Sequence, residues 1–251
     1  MLAAERRQKI ADQAMLEKRV LVAELAQMYK VTEETIRRDL EKLEKEGIVN
    51  RTYGGAIVTR QSSEDLPFAT RNATNQDIKM KIAFKALDLI QNGDTLMIDP
   101  SSTAYELLKQ LNKKQNLTVI TNSVEALHEL AGQDIQLIST GGTLRNRSLS
   151  LVGPVAQDTV QKYHVDKVII SCKAISAEKG VMDSNEPECE LKKRMIQQGS
   201  QVILLVDHTK FDKASFVQLS DLEQIHVLVT DEKPSDDWLA KLADLGIEVI
   251  Y

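Results

Sequence analysis

The sequence predicts an α/β protein in two parts, a small winged helix-turn-helix followed by a larger domain built on a largely parallel, Rossmann-like sheet. Three observations predict it. Apolar residues in the first 57 positions recur at helical spacing and end in a hairpin turning on a glycine pair. Beyond them, short apolar runs alternate with segments long enough for crossover helices. The charge balance also changes sign: residues 1–60 carry 12 Lys and Arg against 10 Asp and Glu, net +2, whereas residues 61–251 carry 20 against 27, net −7. A 251-residue chain that is 42% hydrophobic and 27% charged can bury a core, and disorder is excluded as its main state. The absence of any apolar run near the ~18 residues of a membrane span, and of a signal-peptide stretch in MLAAERRQKIADQ, leads us to expect a cytoplasmic protein with no membrane partner. Cys172 and Cys189 fit no disulfide framework and cannot alone supply a structural zinc site, so both read as buried or incidental thiols.

In chain order, Ala3 to Ala14 reads as a short amphipathic helix with Ile10 and Ala14 on one face and Arg6, Arg7 and Lys9 elsewhere. A second helix follows Arg19, where Val22, Leu25, Ala26 and Tyr29 recur at i, i+3, i+4 and i+7. Thr32 is placed to cap a third, with Glu33 and Glu34 against the positive end of its dipole and Ile36, Leu40 and Leu43 as its inward stripe; Gly47 ends it. Helix, turn and helix over about 20–39 is helix-turn-helix spacing, and Thr35, Arg37, Arg38 and Lys42 lie off the apolar stripe of the third helix, as a DNA-reading face requires. Ile48 to Val58 reads as a wing, in which Arg51 and Tyr53 are suited to phosphate or groove contact. Charge alone leaves a second reading open, a solvated face on which Arg37 and Arg38 pair with Glu33, Glu34, Glu41 and Glu44.

Gln61 to Asp65 is polar, with Pro67 just beyond, and marks a linker over 58–74 between a first domain at 1–57 and a second at 75–251. In the second domain Ile82, Ala83, Ala86, Leu87 and Ile90 form a helical stripe. Strands are expected at 95–99, 117–121, 135–139, 165–171, 201–206 and 225–230. No G-x-G-x-x-G follows the first of them, so a dinucleotide site is not supported. Ligands of such sheets bind at the carboxyl ends of the strands. There the sequence places Asp99-Pro100-Ser101-Ser102-Thr103, Thr121-Asn122-Ser123, Gly141-Gly142 and Asp207 to Phe211 with Lys210, a set of hydroxyls, backbone N–H groups and a cation fit to hold an anion. Each has a plainer reading: Ser102 and Ser123 as helix caps, Gly141-Gly142 as a turn, Lys210 as a surface charge.

Thr35-Ile36-Arg37-Arg38-Asp39-Leu40, then Leu43-Glu44, then Arg51-Thr52-Tyr53-Gly54-Gly55-Ala56, resembles the signature of the DeoR family of bacterial sugar-metabolism regulators. Tyr53 stands where members often carry His. The resemblance implies a second domain similar in fold to ribose-5-phosphate isomerase that senses phosphorylated sugars or sugar-like metabolites. It carries over Asp99, Ser102, Thr103, Thr121, Asn122, Gly141, Gly142, Gly153, Glu188 and the segment from Asp207 to Phe211 with Lys210. The first loop departs from the family's Asp-x-Gly-Thr-Thr, with Ser101 for Gly and Ser102 for Thr. The implied protein is a repressor of a carbohydrate-utilisation operon whose partners are double-stranded operator DNA, a phosphorylated sugar and further copies of itself. No cofactor, metal or catalytic residue is expected.

The alternative is a sugar-phosphate isomerase-like enzyme with an attached DNA-binding domain. Asp99, Asp183, Glu188, Glu190 and Lys210 offer the residue types such proton transfer needs. Against it, Glu188 with Lys192 and Glu190 with Arg194 stand at i, i+4 and read as surface ion pairs. His128, His164, His208 and His226 are scattered singly, with neither H-E-x-x-H nor G-x-S-x-G.

Overall fold

The computed structural model describes residues 3–17, 19–45, 48–57 and 65–251. Gly47, expected to end the third helix, and residues 58–64 of the expected linker lie outside the described residues. The chain divides into two compact units, Met1–Leu66 and Pro67–Tyr251.

The first unit orders α1 (Ala3–Glu17), β1 (Arg19–Leu21), α2 (Val22–Tyr29), α3 (Glu33–Lys45), β2 (Asn50–Thr52) and β3 (Gly55–Ile57). Ile10, Ala14, Leu25, Ile36, Leu40 and Leu43 share one core, so the helical stripes pack as their periods require. Thr32 caps α3, its Oγ1 and carbonyl both accepting from the Thr35 amide. The difference from expectation is at Arg19–Leu21, since the second helix is expected to follow Arg19 directly. This segment forms a strand that pairs antiparallel with β3, making a three-stranded sheet in the order β1, β3, β2. Gly55 permits this, because a Cβ there would stand 2.2 Å from the Val20 carbonyl oxygen.

The second unit begins with α4 (Phe68–Ala73), inside the span expected to be linker, and α5 (Gln76–Asp88). There follow β4 (Thr95–Ile98), α6 (Ser102–Leu108), β5 (Leu117–Thr121), α7 (Val124–Leu130), β6 (Ile135–Ser139), β7 (Thr143–Arg145), β8 (Ser150–Val152), α8 (Pro154–Val160) and β9 (Val165–Ser171). The remainder is β10 (Ala174–Ser176), β11 (Gly180–Asp183), α9 (Glu186–Ile196), β12 (Gly199–Leu205), β13 (Val217–Ser220), β14 (Val227–Val229), α10 (Asp236–Asp244) and β15 (Glu248–Ile250). Seven strands form an all-parallel sheet in the order β15-β14-β12-β9-β4-β5-β6. Strand residues alternate between its faces: Leu96, Ile98, Ile203 and Leu205 pack with α5, α6 and α7, and Met97, Val202 and Leu204 with α8, α9 and α10. Both faces are covered, which is why these strands read as continuous apolar runs.

The chain steps from β4 outward through β5 to β6, then returns to β9 on the other flank and continues through β12, β14 and β15. The strand order therefore reverses between β4 and β9, the switch point at which open α/β sheets bind ligands. Register keeps the carboxyl ends flush there, with Ile98 opposite both Thr121 and Ile169, and Leu205 opposite both Ser171 and Val229.

Candidate functional site

On the first unit, α3 presents Arg37, Arg38 and Lys42 to solvent, Thr35 half-buried, and the wing presents Arg51 with a fully exposed Tyr53. The solvated-face reading is realised in part, since Arg37 pairs with Glu33 at 2.6 Å and Arg38 with Glu34 at 3.3 Å. Arg51 is held to Glu44 at 2.7 Å, and its backbone amide donates to the same carboxylate, which fixes the wing against α3. These are exposed i, i+4 or short-range pairs, weak enough to exchange for another anion. Asp39, inside the family motif, is buried and bound by Arg6 of α1 at 2.6 Å. Its place in the motif is structural.

At the switch point, the loops after β4, β9 and β12 meet on Ser171. The Ser171 amide donates to Asp99 Oδ2, its Oγ donates to the Leu205 carbonyl at 2.7 Å, and Lys210 Nζ donates to that Oγ at 3.2 Å. Asp99 has no exposed surface. Its Oδ1 accepts from the Ser101 amide, and its Oδ2 accepts from Lys192 Nζ at 2.8 Å as well as from Ser171. The carboxylate thus pins the β4 loop to β9 and α9.

Lys192, expected to pair with Glu188 on a surface, is instead buried among Asp99, Asp183 and the Ser171 carbonyl. Burial disfavours its charge, but Asp183 and Asp99 outweigh that and hold its pKa well above the usual lysine value. Burial likewise works against the Asp183 carboxylate, and Lys192, with the Ser184 amide and Arg71, overcomes it, leaving its pKa lowered. Glu190 pairs with Lys193, not Arg194. The expected Glu188–Lys192 surface pair fails because α9 turns both side chains inward, which charge spacing alone does not reveal.

The cap of α6 is Ser101, whose Oγ accepts from the Ala104 amide; Ser102, expected to cap, and Thr103 sit buried in the first turn. Ser123 caps α7 as expected. Asn122, 2% exposed at the carboxyl end of β5, donates to the Leu151 carbonyl at 3.0 Å, and its Oδ1 has no hydrogen-bond partner among the described residues. Glu188 Oε1 accepts from Ser150 Oγ at 2.7 Å and Arg145 at 3.3 Å. Gly141 and Gly142 both have positive φ, and a Cβ on Gly142 would stand 2.6 Å from the Val152 carbonyl oxygen, so strand packing alone demands glycine there.

Asp207 caps the 3-10 turn His208–Lys210, accepting from the Thr209 amide and hydroxyl, and lies 3.5 Å from Lys210 Nζ. Burial raises its pKa, and Lys210 together with the two hydrogen bonds from Thr209 reverses the effect, leaving it lowered. The turn is braced from behind: the Phe211 ring meets Trp238 edge-on at 5.1 Å, and the Trp238 indole N–H donates to Asp212. Cys172 and Cys189 are buried free thiols, both pushed up to about 12 by burial first, and so are inert. Sequence reasoning missed Ser171 and Lys192. Both lie on elements it placed correctly, but only the register and the turn of α9 bring them to the switch point.

A winged helix-turn-helix followed on one chain by an α/β unit with a polar switch point defines a DNA-binding transcriptional regulator. Family models for the DeoR-like helix-turn-helix domain and the DeoR C terminal sensor domain match residues 6–62 and 74–232, and the chain belongs to the DeoR family. It is similar to the uncharacterized HTH-type transcriptional regulator YulB of Bacillus subtilis (strain 168), 41% identical over 99% of this chain and 96% of that protein. The putative aga operon transcriptional repressor of Escherichia coli O157:H7 is 32% identical over 98% of this chain and 93% of its own length. Among solved structures, ribose 5-phosphate isomerase A of Methanocaldococcus jannaschii is similar over 55% of each chain, with TM-score 0.42 and 18% identity. The relatives similar over nearly the whole chain are transcriptional regulators, and the chain is a regulator and not an enzyme. Among the described residues, no helix is long and apolar enough to cross a membrane.

Proposed function

We propose that the chain is a cytoplasmic repressor of a carbohydrate-utilisation operon, released from its operator by a phosphorylated sugar. The observation that carries this reading is the meeting of three loops on Ser171, with the Lys210 ammonium 3.2 Å from its hydroxyl at the switch point of the sheet. Lys210, the Ser101 hydroxyl and the amides of Ser102 and Thr103 supply the anion end; Asn122 Oδ1 and Glu188 supply acceptors for sugar hydroxyls, beside Gly141 and Gly142. Asp99, with both carboxylate oxygens engaged, organises these loops rather than binding sugar directly. The relative named as a repressor supports the sign of regulation.

On the DNA side, Thr35, Arg37, Arg38 and Lys42 read the major groove, and Arg51 and Tyr53 contact the backbone or adjacent groove. One winged helix reads few base pairs, so a dimer or larger assembly sets two half-sites ~34–36 Å apart or at multiples of that spacing. The sensor coupling that releases DNA amounts to ~1–3 kcal/mol, roughly 5- to 150-fold. Operator affinity measured with and without a panel of sugars and their phosphates tests the reading. Release by a phosphorylated sugar, lost in Lys210→Ala while operator affinity is kept, is the expected result. Release by the unphosphorylated sugar alone, or an unchanged response in Lys210→Ala, defeats it. Sedimentation of the operator complex tests the assembly, and a tight monomeric complex refutes it.

A further inference from the structure

Lys79 lies in the first turn of α5 and is only 6% exposed. Because α5 leads through a short loop into the start of β4, its first turn stands at the carboxyl edge of the sheet, the edge that carries Ser171 and Lys210. Lys85, further along the helix, donates to the Thr230 carbonyl just beyond the end of β14. The Lys79 ammonium donates to the Thr74 carbonyl at 2.6 Å and to the Arg71 carbonyl. Among the described residues, no carboxylate lies within ion-pair distance of it. A buried ammonium served only by neutral acceptors keeps part of its desolvation cost.

The charged groups facing Lys79 are Lys210 and Asp207 from the loop after β12, Arg71 from α4 and Glu106 from α6. The two carboxylates are already committed, Asp207 to Lys210 at 3.5 Å and Glu106 to Lys109 at 2.8 Å. Burial, then repulsion from Lys210, brings Lys79 down to about 7, with Asp207 pulling the other way. We propose that Lys79 is the second cation of the anion site, and that it takes up a proton when a dianion binds beside Lys210. The proposal rests on the anionic-effector reading above and adds a consequence: the arriving dianion is the counter-charge the protein lacks, so the site discriminates by charge and its affinity depends on pH. The sign follows from linkage. Binding requires the ammonium form, so affinity is full below about 7 and falls about tenfold per pH unit above it.

Calorimetric titration of the full chain with sulfate tests this, at pH 6, 7, 8 and 9 and in two buffers of different ionisation enthalpy. Sulfate stays a dianion over that range, so any proton taken up is taken up by the protein. Proton uptake rising from near zero at pH 6 towards one at pH 8, with affinity falling about tenfold from pH 8 to 9, is expected. Lys79→Arg, whose charge is permanent, should bind sulfate without that uptake or slope, and Lys79→Met should bind at least tenfold more weakly than wild type at pH 6. His208, on the same turn as Lys210 and raised from its ordinary value by its hydrogen bond to Asp231, remains in both variants, so uptake surviving in Lys79→Arg belongs to it. Wild-type uptake in Lys79→Arg, or pH-independent wild-type binding, overturns the role of Lys79. The anionic-effector reading survives that result if Lys210→Ala still weakens sulfate binding. No sulfate binding by wild type, or binding indifferent to Lys210→Ala, rejects both.

Discussion

Arg6 Nε of α1 donates to Asp39 Oδ2 of α3 at 2.6 Å, both side chains nearly buried, with Arg7 3.7 Å from the other carboxylate oxygen. The pair ties the first helix to the helix that carries Arg37 and Arg38. Removing one member leaves the other buried and uncompensated, at a cost of ~3–5 kcal/mol. Asp39→Ala should therefore accelerate amide exchange across α1 to α3 by a hundredfold or more while leaving the second unit's protection unchanged. Unchanged exchange in α3 would show that the pair contributes nothing to holding the helix.

Arg37 and Arg38 are engaged by Glu33 and Glu34 in the free protein, so DNA must displace these carboxylates. Arg37→Ala or Arg38→Ala should weaken operator binding by ~1–3 kcal/mol if a bidentate base contact is lost. Glu33→Gln and Glu34→Gln should act oppositely, tightening binding as a competing anion is removed, with stability altered by no more than ~0.5 kcal/mol since the pairs are exposed. Fluorescence anisotropy on operator DNA at several salt concentrations reads both effects. Weaker binding in the Glu variants would mean that the pairs orient the arginines for DNA rather than occupy them.

The same contrast explains what was legible in the sequence. Ile36, Leu40 and Leu43 announced α3 because burial follows helical period, and the apolar runs at 95–99 and 165–171 announced central strands because both faces of the sheet are covered. Arg19–Leu21 was missed because three residues are too few to show a period, and the strand exists only through its partner β3. β15 escaped notice for the same reason. At the switch point the loops were legible by composition, but their partners were not. Nothing local distinguishes Lys192, a buried hub between Asp99 and Asp183, from a surface lysine four residues after Glu188.

That hub has a pH signature. The Asp183 pKa is lowered in the folded protein, so its contribution to stability is full above the unfolded value of 3.8 and is lost as pH falls through the lowered folded value. The Lys192 pKa is raised, so its contribution is full below 10.5 and is lost as pH rises through the folded value. Wild type should thus keep this contribution across the neutral range. Lys192→Met leaves two buried carboxylates without their cation and should cost ~3–5 kcal/mol at pH 7. Because protonation then relieves the strain, the deficit should shrink as pH falls from 7 to 5. Thermal midpoints of both proteins over that range decide it; a deficit that widens with acidification would place the destabilisation elsewhere.

Asn122 and Lys210 should separate the two ends of the effector. Asn122 Oδ1 is a buried acceptor at the end of β5 without a partner among the described residues, and such a group retains its desolvation penalty until a donor arrives. A sugar hydroxyl supplies that donor, whereas sulfate offers none. Asn122→Leu removes the acceptor and also the donor that holds the Leu151 carbonyl, so a companion variant is needed to isolate the ligand's share. Glu188→Gln serves: Glu188 Oε1 is bound by Ser150 and Arg145, and the substitution keeps its shape while exchanging one acceptor for a donor. Both variants should lose ~1–1.5 kcal/mol of affinity for the sugar phosphate that releases DNA, about tenfold, while sulfate affinity stays within a factor of two. Lys210→Ala should weaken both ligands alike, since it acts on the anion. If Asn122→Leu and Glu188→Gln lowered sulfate and sugar phosphate affinity equally, they would be supporting the loops rather than recognising hydroxyls, and the sugar end of the site would have to be sought among other residues at the carboxyl edge of the sheet.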